Sequence, residues 1–319
     1  MYADLTEIEK KYHVTNFPLN IALEVTNNCN LNCVMCHNDQ LTRKRGYMSM
    51  ILYKKIVDEI AKENKGTRLW LDFYGEALLA GWKLYYMIDY AKKRGLTNVC
   101  INTNGTLMNR EYVDMLLDSG VDYISLDCDG YSKEIYERIR VNGDRDVFYS
   151  NVEYLLKEKQ RRNSKVIVDV KVIEMEENRS EIPLIVKHWR SRGAWTAVRR
   201  CADWVLKDND LKEAVDNHNR IACGHLLGTL AITWDGVVPQ CVWDADVSNM
   251  IGDVTKESIK TVWERNNRTL VSIHMNHEWD RLNSLCQSCC DWMYIGEQRY
   301  DENGDEIRRS YDNNQKIFE

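Results

Sequence analysis

The chain lacks an export signal and any apolar run long enough to span a bilayer. Its opening residues, MYADLTEIEKKYHV, are charged from the start and contain no apolar h-region, and the longest later apolar stretch, near LLGTLAITW, is far too short. A soluble, cytoplasmic protein with no membrane partner is expected. A cationic excess is missing as well: 43 lysines and arginines stand against 49 aspartates and glutamates, a formal charge of −6 with both signs spread along the sequence. That excludes a basic face for nucleic acid. Prolines number only three. At 319 residues the chain is long enough for one large domain, or for one domain and a small appendage, and either buries a substantial core.

Cysteine is abundant instead. Eleven cysteines in a large chain with no export signal, and an odd count, point to metal binding or reactivity in a reducing compartment rather than to disulfides. Cys29, Cys33 and Cys36 crowd near one end, and Cys223, Cys241, Cys286, Cys289 and Cys290 lie toward the other. Cys100, Cys128 and Cys201 are scattered between them. Cys100 and Cys128 fall within strand-like stretches and read as small buried hydrophobes.

Strand-like and helix-like stretches alternate. IALEVT leads into the first cysteine group, and SMILYKKIVDEIAKEN reads as an amphipathic helix capped by Ser49. TRLWLDFYGEALL, the helix WKLYYMIDYAKKRG closed at Gly95, TNVCINTNGTL, and further pairs through WTAVRRC complete six rounds by about residue 200. Such alternation implies parallel strands with right-handed crossovers. Six rounds favour a partial barrel, with an open doubly wound sheet as the alternative. Either way, chemistry belongs at the C-terminal ends of the strands, where the cysteines of NNCNLNCVMCHND, the GE at 75 and 76, the TNG at 103 to 105, Ser125 with Asp127, and Cys201 all fall.

Three thiols at spacings of four and three can face one object. A tetrahedral zinc or single-iron site wants a fourth ligand, for which His37 directly abuts Cys36 and is cramped. A cubane [4Fe-4S] cluster on three cysteines leaves one iron open to an exogenous ligand. This C-x3-C-x2-C loop after the first strand of a six-strand α/β barrel resembles the radical S-adenosylmethionine enzymes. The resemblance implies that Cys29, Cys33 and Cys36 hold the cluster and that its open iron chelates S-adenosylmethionine. The reduced cluster then cleaves that molecule to a 5′-deoxyadenosyl radical, which abstracts hydrogen from substrate. YGEALL is similar to the family's Gly-Gly-Glu-Pro segment and assigns Gly75 and Glu76 to the methionyl amine, although Tyr74 and Ala77 depart from the pattern. Met35 stands where the family carries an aromatic, and is expected to pack against adenine. By the same resemblance Thr103, Asn104, Ser125 and Asp127 line the cofactor's ribose and carboxylate, and Arg138 or Arg140 meets that carboxylate.

After the barrel, C-x12-G-x4-C from Cys223 to Cys241, followed by C-x2-C, resembles the twitch or SPASM extension, which binds an auxiliary iron-sulfur cluster. Zinc fits the same thiolates. The implied cofactors are two [4Fe-4S] clusters and S-adenosylmethionine. Five late cysteines compete for four places, which leaves a spare thiol to serve as a hydrogen-atom donor. The length, the first cysteine loop, FYGEALL and CQSCC resemble the radical S-adenosylmethionine peptide epimerases of epipeptide biosynthesis, which convert L-residues of a ribosomal peptide to D-residues. On this reading Cys223 is the donor and Cys241, Cys286, Cys289 and Cys290 hold the auxiliary cluster. In the competing scheme Cys223 replaces Cys290 as a ligand, and Cys201 or Cys290 donates. A radical dehydrogenase or thioether-forming maturase is the alternative enzyme, and a non-enzymatic iron-sulfur or zinc protein is the distant one. The expected partners are a precursor peptide and a small electron-donor protein. The expected divisions are an N-terminal arm (1–20), the barrel (21–205), the auxiliary domain (206–295) and a tail (296–319). With about twenty residues before the first strand, no separate leader-peptide domain is expected, so barrel mouth and cluster domain would grip the peptide.

Overall fold

A computed structural model describes residues 9–200, 220–294, 299–300 and 306–307. Cys201 and most of the tail lie outside the described residues. Six strands follow one another in parallel: β1 (Asn20–Leu23), β2 (Arg68–Trp70), β3 (Val99–Thr103), β4 (Tyr123–Asp127), β5 (Ile167–Glu174) and β6 (Trp195–Arg200). Between them run α1 (Met50–Glu63), α2 (Trp82–Lys93), α3 (Arg110–Ser119), α4 (Lys133–Ile139), α5 (Arg145–Arg161) and α6 (Ile182–Arg190). The partial barrel expected from the alternation is therefore present.

Local chemistry starts and stops these helices. Ser49 accepts the amide hydrogen of Leu52 at the head of α1, and Asn109 does the same for Tyr112 at α3. Beyond α2, Gly95 takes φ +88°, which lets the chain reverse into β3. The strands bury Leu69, Ile101, Ile124, Leu126, Val168, Val170 and Val172 beneath the helices. The other face carries a row of polar residues in register, with Asn102 beside Ser125, Ser125 beside Asp169, and Asp127 beside Lys171. Parallel neighbours point the same way, so this row lines the barrel interior.

A seventh strand joins this sheet from the C-terminal part of the chain. The stretch after Cys223 forms α7 (Gly224–Gly228) and β7 (Thr229–Ile232), and β7 pairs in parallel with β1. The sheet thus has seven strands in the order β6-β5-β4-β3-β2-β1-β7. β7 is apolar and almost wholly buried, and it covers the backbone edge that β1 would otherwise expose. The chain then turns at 233–236, and β8 (Val237–Pro239) pairs antiparallel with β9 (Met250–Asp253), followed by α8 (Ile259–Asn266). The residues before β1 pack on this C-terminal unit: Glu9 accepts the amide of Ala222, and the carbonyl of Thr15 accepts from the side chains of Trp263 and Asn267. Among the described residues no helix is long and apolar enough to cross a membrane.

Candidate functional site

Cys29, Cys33 and Cys36 lie on the loop that leaves β1 at its C-terminal end. Each sulfur accepts a hydrogen bond: from the Leu31 amide at 3.5 Å, from the Arg140 guanidinium at 3.5 Å and from the Asn38 amide at 3.4 Å, respectively. None is in a disulfide. Burial pushes the Cys29 thiol up to about 11 and that of Cys36 up to about 12. It raises Cys33 as well, against the pull of Arg140. Free thiols here stay protonated at neutral pH, so three thiolates require a cation to hold them.

The glutamate of the YGEALL segment faces the same loop. Its backbone amide donates to the carbonyl of Asn28, and its carboxylate is fully buried. One oxygen accepts from the Leu78 amide at 2.9 Å and from Thr103 Oγ1 at 2.7 Å, while the other accepts the Asn104 amide at 2.8 Å. A carboxylate offers about four acceptor positions. One therefore remains for a cationic donor such as an ammonium. Gly75, at φ +141°, lets this segment touch the cysteine loop, since a Cβ would stand 2.1 Å from the carbonyl oxygen of Thr26. The Asn104 side chain donates to Asn30 at 2.9 Å, which ties the TNG turn to the cysteine loop. Two motifs that the sequence presents separately are thus one hydrogen-bonded assembly.

Ser125 is fully buried, and among the described residues its hydroxyl has no hydrogen-bond partner. Asp127 accepts from Asn102 at 3.0 Å and lies 3.5 Å from Lys171 and 3.8 Å from Arg140. Burial works to raise its carboxyl, but Lys171 and Arg140 outweigh that and hold it below the usual range. Arg140 is buried on Asp129 at 2.5 Å. Arg138 lies on the solvated face of α4, paired with Glu134, so of the two arginines only Arg140 faces the site. Met35 is buried against Ile139 and Met175.

The sequence reading missed Asp72 and Lys171. Asp72 is half-buried just beyond β2; burial raises its carboxyl to about 8, with Lys171 opposing and Asp127 adding to the rise. The signal was present: Asp72 directly follows the apolar run LWL, and Lys171 stands with Asp169 among the valines and isoleucines of β5, where charged residues are seldom buried unless paired.

In the C-terminal unit, Cys223, Cys241, Cys286 and Cys289 lie within electrostatic reach of one another. Cys241 accepts from the Trp243 amide at 3.4 Å and Cys286 from the Gln240 side chain at 2.9 Å. Burial raises all four thiols, that of Cys223 to about 12. Cys290 is buried beside Cys289. The buried carboxylate of Asp291 pairs with His225 at 2.9 Å and accepts from Trp243 at 2.9 Å. A cleft of about 440 Å³ separates the end of the first cysteine loop, at His37, Gln40 and Leu41, from Trp243, Asp246 and Ser284 of this unit. Among the described residues no three His, Cys, Asp or Glu side chains converge closely enough to hold a single ion. The all-sulfur donor sets, the amide hydrogens on their sulfurs, the remaining acceptor position of Glu76 and the partnerless Ser125 hydroxyl fit iron-sulfur clusters and a bound S-adenosylmethionine.

Comparison with known proteins agrees. The Radical SAM superfamily model matches residues 23–181, and the SPASM iron-sulfur cluster-binding domain matches residues 223–290. The AdoMet-dependent heme synthase of Methanosarcina barkeri is 33% identical over 128 residues, which cover 40% of this chain and 36% of that protein. The chain thus spans about a third of that relative's length. Streptococcus suis SuiB bound to its precursor peptide SuiA shares the fold at TM-score 0.65 and 13% identity, covering 90% of this chain and 72% of that one. So does anSMEcpe with bound AdoMet and Cp18Cys peptide, at TM-score 0.60 and 17% identity, covering 94% and 95%. The cofactors are accordingly S-adenosylmethionine and two iron-sulfur clusters, one for each cysteine set. The chain belongs to the radical S-adenosylmethionine superfamily and carries a C-terminal SPASM domain.

Proposed function

We propose that the protein is a peptide epimerase, converting L-residues of a ribosomally made peptide to D-residues. Bound cluster and S-adenosylmethionine together supply the 5′-deoxyadenosyl radical that removes a backbone Cα hydrogen. The chain's own part is to hold the cofactor and to return a hydrogen atom to the opposite face. Cys29, Cys33 and Cys36 hold the first cluster. Gly75 and Glu76 receive the methionyl amine, and Thr103 and Asn104 keep the Glu76 carboxylate in place. Ser125, Asp127 and Arg140 bound the remainder of the cofactor. Cys223 gives its S–H hydrogen to the planar Cα centre, leaving a C–H bond and a thiyl radical. One electron and one proton then restore the thiol, the electron coming from a small electron-donor protein.

The observation that carries this reading is the place of Cys223. Cys223 immediately precedes α7, which leads into the strand β7 paired with β1, and its thiol is within electrostatic reach of Asp291, Cys286 and Cys241, so it stands where the chain passes between the auxiliary cysteines and the barrel sheet. Cys241, Cys286, Cys289 and Cys290 are the auxiliary ligands in this scheme. Peptides bound to SuiB and anSMEcpe support a peptide substrate, for which the cleft between the two cysteine loops offers a path. A second reading rests on the mutual proximity of Cys223, Cys241, Cys286 and Cys289. There Cys223 is the fourth ligand, and the auxiliary cluster accepts an electron in a dehydrogenation or thioether-forming reaction.

Product mass separates the two, with a synthetic ribosomal precursor peptide as substrate. Epimerisation leaves the mass unchanged in water and adds one unit per site in deuterium oxide, whereas oxidation removes two hydrogens. Cys223→Ala is expected to keep its full iron content while losing deuterium incorporation. Loss of iron in Cys223→Ala, with full iron in Cys290→Ala, supports the second reading instead.

A further inference from the structure

Arg220 has no part in the roles described so far, yet it is among the most enclosed cations of the protein, 4% exposed. Its Nη2 donates to the carbonyl oxygen of Cys286 at 2.6 Å. Its guanidinium lies 5.2 Å from the ring centre of Trp279 and 5.8 Å from that of Trp292. Trp292 is itself pinned to the cysteine segment, because its indole nitrogen donates to the carbonyl of Cys289 at 3.0 Å. Among the described residues, the thiols of Cys286, Cys289 and Cys223 lie within its electrostatic reach. One planar cation is thus held by two indoles and a backbone carbonyl toward the auxiliary cysteines.

We propose that Arg220 is the counter-charge of the auxiliary cluster and raises its reduction potential. A cluster held by cysteine thiolates gains negative charge on reduction, so a fixed cation nearby favours the reduced form. Enclosure strengthens the effect, since little water screens the charge. The two tryptophans fix the guanidinium plane, which a lysine ammonium does not reproduce, although lysine keeps the charge. The proposal rests on the auxiliary cluster and not on epimerisation: Cys286 and Cys289 are ligands in both assignments above.

The test uses the full chain with Cys29, Cys33 and Cys36 replaced by Ala, so that only the auxiliary cluster is loaded, and follows its reduction by potentiometric titration with iron analysis. No product is read, which keeps failure here distinct from failure of the epimerase reading. At the parent's midpoint potential, Arg220→Met is expected to show at least a tenfold lower ratio of reduced to oxidised cluster, equal to about 59 mV for one electron. Arg220→Lys is expected to recover most of that ratio. Iron retained in Arg220→Lys but lost in Arg220→Met also supports a requirement for charge. An unchanged midpoint in Arg220→Met with full iron overturns the proposal. Equal loss of iron in both variants overturns it too, in favour of a purely packing role.

Discussion

Ser125 and His274 both bury polar atoms that make no hydrogen bond among the described residues, yet they lead to opposite expectations. Among the described residues the Ser125 hydroxyl has no hydrogen-bond partner. Removing a buried polar atom that makes no hydrogen bond costs the empty protein nothing, whereas removing one that contacts a ligand costs about 0.5–1.5 kcal/mol. Ser125→Ala is therefore expected to leave the melting temperature of the ligand-free protein unchanged or higher, and to weaken S-adenosylmethionine binding about threefold to tenfold by calorimetry. His274 is 2% exposed, and neither ring nitrogen has a hydrogen-bond partner among the described residues. Burial, aided by Arg220, lowers its pKa from 6.5 to about 4. The unfolded chain thus takes up a proton at higher pH than the folded one, and stability is lost as pH falls from about 6.5 toward 4. His274→Leu is expected to flatten that part of the profile, as read from thermal unfolding at pH 7.5 and pH 5.

Among the elements, the segment after β2 is the most constrained. The amide of Glu76 donates to the Asn28 carbonyl, and Gly75 leaves no room for a side chain above Thr26. Gly75→Ala places a Cβ 2.1 Å from a backbone oxygen at a φ of +141°. Backbone strain alone costs about 1–3 kcal/mol and the collision adds to it. A loss of at least about 2 kcal/mol is expected in chemical denaturation, together with reduced iron at the first cluster, because Thr26 and Asn27 lead directly into Cys29. The strand-helix alternation that predicts β1 to β6 follows from local apolar patterning, so it was legible. The pairing of β7 with β1 was not. Nothing in residues 229–232 says whether their partner lies five residues on or two hundred residues back, since any apolar edge satisfies the same backbone groups.

For the molecule as a whole, the barrel and the C-terminal unit are joined through a buried ion pair. Glu24, fully buried beyond β1, receives Arg43 through both oxygens and also accepts the amide of Trp234 at 3.1 Å. Arg43 donates in turn to the carbonyl of Ala245 at 2.6 Å. Trp234 closes the same joint, its ring lying where a Cβ on Gly46 would stand 2.5 Å away. Arg43→Met strands a carboxylate in this interface. Breaking one side of a buried pair costs about 3–5 kcal/mol. Chemical denaturation is expected to show that loss, and the double variant Glu24→Gln/Arg43→Met is expected to be more stable than Arg43→Met alone.

The sequence by itself determined which atoms can do chemistry. Three crowded thiols identify themselves by spacing, because ligands on one short loop must converge wherever that loop is placed, while the Gly-Glu and Thr-Asn-Gly segments and the late cysteines are legible through their resemblance to the family's motifs. Tertiary structure decided which of the remaining charges belong to the site. Arg138 and Arg140 stand two residues apart near the end of α4, and a helix turns about 100° per residue, so only packing determines that one meets solvent and the other Asp129 and Cys33. Asp72, Lys171 and Arg220 became visible for the same reason. Electrostatic coupling depends on distance and enclosure through space, and neither is written in the order of residues along the chain.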